Sequence, residues 1–552
     1  MHVSRLAGPF VLCAALLTTA HPARAATLSP AAASAWQHDL DYMVVCIEKY
    51  HLDAFHSISR AAFEQRVSLL RARIPKLDRA RALLGLASII ALLHDAHTGF
   101  GLGTSPPVAF HAFPIKVYQY ADGVFIQAAA PQYRSLVGDE ILGVGGVPIA
   151  TVLQRLLTVV MVTNDWTFRS QLAFQFKGEI LHALGLSESD DAATLRVRGP
   201  AGISTAEIKT IPHPFSVDGY RPGPPEGSDW VDSRSGTAPL YLRHLTKFYW
   251  YQWLPATRTL YVQCNFILDA KDESFTQFFT RVFAFADSTN VDKFVLDLRF
   301  NGGGDNTLLP VVVQNLVKRD RLNVSGKLFV IIGRGTQSAA EDLVNRMQRD
   351  THATFVGEPT GERPNEFGDP WPFILPNSRI EVRVASIQWE DIDPRDDRDW
   401  TGPDLAAELT SSDYASNVDP AMNAVRGAPF VPLEDALQPF LESDIGELHG
   451  AYMRYFDDPE HKFTQSQGGV DRIASQLVAA KRYAVAQAFL EWNVRQSPDS
   501  PRALDALCDA YLSGREPQKA KACYESVLAS FAHDAIAASR LSVLAAGQIP
   551  DL

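Results

Sequence analysis

The stretch Lys293-Phe294-Val295-Leu296-Asp297-Leu298-Arg299-Phe300-Asn301-Gly302-Gly303-Gly304 decides how the rest of the chain is read. Its first half is a continuous apolar run, the pattern of a strand buried on both faces of a parallel sheet. Three glycines follow at once. Lacking Cβ atoms, they let backbone approach a ligand closely and aim N–H groups at it, and an anion or a developing oxyanion is the natural guest. A nucleotide phosphate loop would close on Gly-Lys-Ser/Thr, which is missing here.

The next element outward repeats the theme. Leu328-Phe329-Val330-Ile331-Ile332 is a second apolar run, followed by Gly333-Arg334-Gly335-Thr336-Gln337-Ser338-Ala339-Ala340-Glu341 and a helix to about Arg349. Ser338 then falls on a sharp turn at a helix N-terminus, where the dipole favours negative charge beside its hydroxyl. The competing reading makes Ser338 a cap, with Glu341 completing a capping box. Upstream, Leu260–Cys264 reads as a strand. Phe275–Phe285 reads as a helix with Phe275, Phe278, Phe279 and Val282 on one face. Strands alternating with helices over residues 240–434 predict an α/β core with a largely parallel sheet.

Four other segments surround this core. Residues 26–105 carry helical periodicity (Trp36, Leu40, Met43, Val44, Ile47; then Leu83, Leu86, Ile90, Leu93) and end in His94-Asp95-Ala96-His97-Thr98-Gly99. Residues 106–210 alternate short β-rich runs with glycine turns. Residues 211–239 are rich in proline and glycine and read as a linker. Residues 435–552 are helical, with Ala486, Ala488, Phe489 and Leu490 matching Ala520, Ala522, Cys523 and Tyr524 at an offset of 34.

The chain has 552 residues, 46% hydrophobic and 21% charged, with a net charge of −12. That length fits three or four globular domains, and the composition excludes a disordered or disulfide-framework chain. An acidic chain without a dense basic run makes a poor nucleic-acid binder. The cysteines at 13, 46, 264, 508 and 523 form no CxxC or His/Cys cluster with metal-ligand spacing, so zinc is not expected, and the serine-hydrolase reading requires no metal or organic cofactor. Cys508 and Cys523 fall on neighbouring helices of the repeat. They are expected to lie close enough to bond, with Cα atoms within roughly 7 Å. Arg5, the apolar run Pro9–Ala20 and Ala23-Arg24-Ala25 form a secretory signal over residues 1–25. The mature chain is therefore expected to be exported, periplasmic or secreted, with no membrane span.

Taken together, DLRFNGGG (Asp297–Gly304), TQSAAE (Thr336–Glu341) and GEPTGERPNEFG (Gly357–Gly368) resemble the tail-specific, or C-terminal processing, serine peptidase family, including its tricorn-core-like branch. The resemblance covers roughly residues 30–430 and implies a crotonase-like catalytic core. The run Leu136–Ile149 resembles the second half of a PDZ domain, and the tail resembles tetratricopeptide repeats. By position, Ser338 matches the family nucleophile, and the Gly303 and Ala339 N–H groups match its oxyanion hole. Gly302, Gly304 and Arg363 are placed at the substrate. Arg363 stands where the Ser/Lys members carry lysine. A guanidinium stays protonated and cannot act as a general base. The resemblance to the tricorn-like branch instead offers His97, one turn beyond His94, as base. It is expected within about 2.6–3.2 Å of Ser338 Oγ, or somewhat farther without substrate. Asp397, in the acidic run Glu390–Asp399, falls nearest the family's third position. The implied activity is hydrolysis of a peptide or protein substrate through an acyl-enzyme. The alternative is a catalytically silent peptide-binding protein that keeps the fold. A third reading makes the helical tail, a surface for a protein partner, the main functional part.

Overall fold

The computed structural model describes residues 27–101, 109–211, 221–394, 396, 398–427, 430–498, 500–531 and 534–548. The signal segment 1–25 and Asp397 lie outside the described residues, as do residues 212–220 of the expected linker. The architecture is mixed α/β.

Three helices open the described chain: Pro30–Tyr50, Arg60–Arg73 and Arg79–Ile90. Each begins on a side-chain cap, Ser29, Ser59 or Asp78, which satisfies an N–H group that the first turn leaves without a partner. Of the predicted stripe, Trp36, Leu40, Met43 and Ile47 are buried and Val44 is partly buried. A seven-stranded antiparallel sheet follows, its main path Ile115–Tyr120, Gly123–Ala129, Glu140–Val144, Ala192–Gly199 and Gly202–Lys209. Val231–Asp232, inside the expected linker, adds to this sheet beside Ala128 and Ala129. Helices and sheet share one apolar core, which also takes in Phe373, Leu375, Val382 and Val384 from a distant hairpin. That hairpin is tied to the N-terminal layer by paired backbone bonds between Gly99 and Arg383, 2.8 and 2.9 Å.

The second sheet runs in the order Leu405–Ala406, Thr354–Gly357, Leu328–Ile332, Lys293–Asp297, Thr259–Cys264 and Tyr249–Leu254. All its pairs are parallel except the last. The helix Phe275–Ser288 buries Phe275, Phe278, Phe279 and Val282, as predicted. Asp297 lies opposite Ile331, so two neighbouring strands end together and deliver their loops to the same sheet edge. In open α/β sheets the carboxyl ends of the strands are where ligand sites form.

The tail is a series of helices, among them Tyr483–Gln496, Pro501–Ser513 and Pro517–Ser530. Cys508 and Cys523 form a disulfide with Cα atoms 5.5 Å apart. The tail reaches the second sheet through Gln465, whose Oε1 accepts from Gly402 N–H at 2.9 Å and whose Nε2 donates to the Trp400 carbonyl at 3.1 Å.

Candidate active site

The loop after Asp297 is locked by charge. Arg299 pairs with Asp297 at 2.8 Å and with Asp419 at 3.0 Å, while the Tyr261 hydroxyl donates to Asp297 Oδ2 at 2.6 Å. Thr336 Oγ1 donates to the Leu298 carbonyl at 2.9 Å and Gln337 N–H to the Asn301 carbonyl at 3.1 Å. These bonds stitch the glycine loop to the serine turn.

Ser338 has φ 55° and ψ −135°, a left-handed conformation uncommon outside glycine. Its side chain makes no capping bond to the helix Ala339–Asp350. The structure thus sets aside the capping-box reading and leaves the hydroxyl uncommitted. Gly303, at φ +99°, packs directly against it. A Cβ at Gly303 would fall 2.7 Å from Ser338 Cβ and 3.0 Å from the Ala339 nitrogen. Only a glycine fits there. Among the described residues, the Ala339 N–H has no acceptor. The Gly303 N–H does have one, Asn301 Oδ1 at 2.9 Å, because the Asn301 side chain folds back over the backbone two residues on. The expected pair of free oxyanion donors is therefore half engaged. Gly302 faces solvent, and Gly304 backs onto Ile267 in a one-residue parallel bridge.

His97 lies four residues beyond the last helical turn, Ala91–Leu93, in a bend rather than at a helix end. Asp95 shapes the bend. Its Oδ1 accepts the His97 N–H at 2.7 Å, and its Oδ2 meets His51 Nε2 at 3.1 Å and Thr98 Oγ1 at 2.5 Å. Burial alone would raise the Asp95 carboxyl. The bonds from His51 and Thr98 and the nearby His97 outweigh it and hold the group below its ordinary value.

His97 Nδ1 faces Glu362 Oε2 at 3.7 Å. Both atoms are buried and neither has a hydrogen bond. Glu362 is held by Thr163 Oγ1, which donates to its Oε1 at 2.5 Å. Burial pushes the Glu362 carboxyl up, against the pull of His97 and the Thr163 bond. The residue before it, Gly361, is bonded to the serine turn: its N–H donates to the Thr336 carbonyl at 3.0 Å. One short segment therefore reaches both the Ser338 turn and His97. No hydrogen bond joins His97 to Ser338, so the expected 2.6–3.2 Å contact is not made in this state. In substrate-free sites such bonds are often long and tighten on binding.

Two other predicted residues stand elsewhere. Arg363 pairs with the exposed Asp399 at 2.7 Å. In the acidic run around Asp397, Asp391 pairs with Arg346 and Asp396 with Arg398. Glu362 is the residue that the sequence reading passed over. Its one signal was position, one of three glutamates in the Gly/Pro-rich segment Gly357–Gly368, immediately before Arg363.

Residues 311–385 match the model of Peptidase family S41. That match supports the resemblance to the tail-specific serine peptidases and the reading of the chain as a serine-type peptidase. No curated protein matches it. Similar solved structures include mature CPAF complexed with lactacystin, at 12% identity and TM-score 0.46 over 71% of this chain and 97% of that one. The photosystem II D1 C-terminal processing protease is 14% identical, with TM-score 0.33 over 70% and 99%. The tricorn protease is 13% identical, with TM-score 0.31 over 71% and 36%.

Proposed function

We propose that the protein is an exported peptidase that hydrolyses peptide bonds through an acyl-enzyme on Ser338, with His97 as general base and Glu362, in place of Asp397, as the carboxylate that orients it. The observation that carries this reading is the uncommitted, left-handed Ser338 packed on Gly303 beside the free Ala339 N–H. Ser338 Oγ attacks the scissile carbonyl carbon as its proton passes to His97 Nε2. Glu362 closes on His97 Nδ1–H, fixes the tautomer and stabilises the imidazolium. The oxyanion takes the Ala339 N–H and a second N–H from the glycine run, Gly303 once it turns from Asn301. The C–N bond then breaks, His97 returns the proton to the leaving amine, and water attacks the acyl-serine by the same route in reverse.

The finer architecture follows the same reading: signal peptide 1–25, helical domain 26–105, PDZ-like domain 106–210, linker 211–239, crotonase-like core 240–434 and tetratricopeptide-like tail 435–552. The PDZ-like module would hold an extended peptide by strand addition. Export rests on the signal pattern. No helix among the described residues is long and apolar enough to cross a membrane.

Steady-state hydrolysis of a peptide library tests the assignment. Ser338→Ala and His97→Ala should each lower kcat by at least about 10³-fold, and their combination by little more, because one unit acts. Glu362→Gln should lower kcat by on the order of 10²–10⁴-fold. Arg363→Ala should change KM more than kcat. Near-normal kcat for His97→Ala would reject the base, whereas no hydrolysis by folded wild type would revive the silent-binding reading.

A further inference from the structure

Besides His97 and Glu362, one more buried acid converges on this point. Glu366 lies on the strand Asn365–Gly368, paired with Ile387–Glu390, and is 2% exposed. One ligand atom from each of His97, Glu362 and Glu366 lies within 4.8 Å of the others. Each of the three also carries a buried atom without a hydrogen bond: His97 Nδ1, Glu362 Oε2 and Glu366 Oε2. Three unpaired donor atoms in one buried spot are costly unless something fills it.

We propose that His97, Glu362 and Glu366 form a binding site for a divalent cation of the zinc class, and that a cation held there silences the serine centre. One imidazole with two carboxylates suits zinc, whereas magnesium and calcium prefer all-oxygen shells. Zinc bonds of about 2.0–2.1 Å set tetrahedral ligand atoms roughly 3.4 Å apart, so side-chain shifts of about an ångström close the site. His97 is the half-buried member of the three. Burial, with Glu362 beside it, holds the Glu366 carboxyl well above its ordinary value. A cation supplies the positive charge that these acids lack, and it displaces their protons on binding. Once bound, it occupies the His97 nitrogen and the Glu362 oxygen that proton transfer needs, and its charge opposes formation of the imidazolium. Binding stands on the three side chains alone; silencing rests on the reading of His97 as base.

Calorimetric titration of zinc into the full chain near neutral pH, in a non-chelating buffer, tests the first half. The expected result is one equivalent bound, weakened at least about tenfold by His97→Gln and by Glu366→Gln, each confirmed folded by its melting curve. Magnesium should not bind. Labelling of Ser338 by a serine-directed electrophile tests the second half: zinc should slow it, a chelator should restore it, and Glu366→Gln should label at the same rate with or without zinc. No bound zinc, or affinity unchanged in both variants, overturns the site. Bound zinc with labelling unchanged or faster overturns the silencing. Failure to label the metal-free protein rejects the catalytic reading, and silencing with it, while the titration still decides the site.

Discussion

Ser338 holds a backbone conformation that costs a non-glycine residue on the order of 1–3 kcal/mol, and the surrounding loops must sustain it. The bonds from Thr336 to Leu298 and from Gln337 to Asn301 do so. The strain keeps the hydroxyl off the helix end, where an ordinary serine would cap. Ser338→Gly should therefore raise the melting temperature, by an amount equivalent to about 1 kcal/mol, while abolishing hydrolysis; Ser338→Ala should abolish hydrolysis with no such gain. Equal melting temperatures for wild type and Ser338→Gly would show that the turn is not strained. The placing of Ser338 on a turn between a strand and a helix was legible from the apolar run and helical pattern around it. Glu362 was not, because nothing local tells a carboxylate facing an imidazole from one facing solvent, and the 390–399 run offered six more conspicuous acids.

The helix Ala339–Asp350 presents its N-terminus to the site and buries two acids in its first turn, Glu341 and Asp342. Burial pushes the Glu341 carboxyl up to about 8, against the bond that Thr401 Oγ1 donates to its Oε1 at 2.6 Å. The folded protein thus holds a proton that the unfolded chain releases near pH 4.5. Between about pH 4.5 and 8 the folded state binds more protons, so this group's contribution to stability falls as pH rises. Glu341→Gln keeps the acceptor and removes the titration. Relative to wild type, it should gain stability on the order of 3 kcal/mol from pH 5 to pH 8, read by denaturant melts at each pH. A constant difference across that range would contradict the buried neutral acid. The strands and helices of this core were legible because their apolar periods are long and their caps local. The bend at His97 was not, because Asp95 forms it with partners, His51 among them, far away in sequence.

At the scale of the molecule, the site exists only where distant segments meet. Thr163 grips Glu362, Asn164 Nδ2 donates to the Asp399 carbonyl at 2.6 Å, and Arg334 Nη1 donates to the Gln119 carbonyl at 2.6 Å. These bonds seat the N-terminal layer, and His97 with it, on the second sheet. The sequence showed the segments but not their docking, which depends on side chains 199 to 235 residues from their partners. The tail is stapled within itself by Cys508–Cys523, which closes a loop of 15 residues. Cys508→Ser should destabilise the tail by about 3 kcal/mol, seen as faster proteolysis after residue 435, with hydrolysis unchanged. Loss of hydrolysis in that variant would give the tail a larger part than this account allows. The central claim is that Ser338 is a nucleophile activated by His97, which lies more than 200 residues away in sequence. Intact-mass analysis after treatment with a serine-directed electrophile tests it most directly. The account predicts one adduct per chain, mapped to Ser338, absent in Ser338→Ala and formed at least about 10³-fold more slowly in His97→Ala. An unlabelled folded wild type, or a His97→Ala variant labelled as fast as wild type, would contradict it.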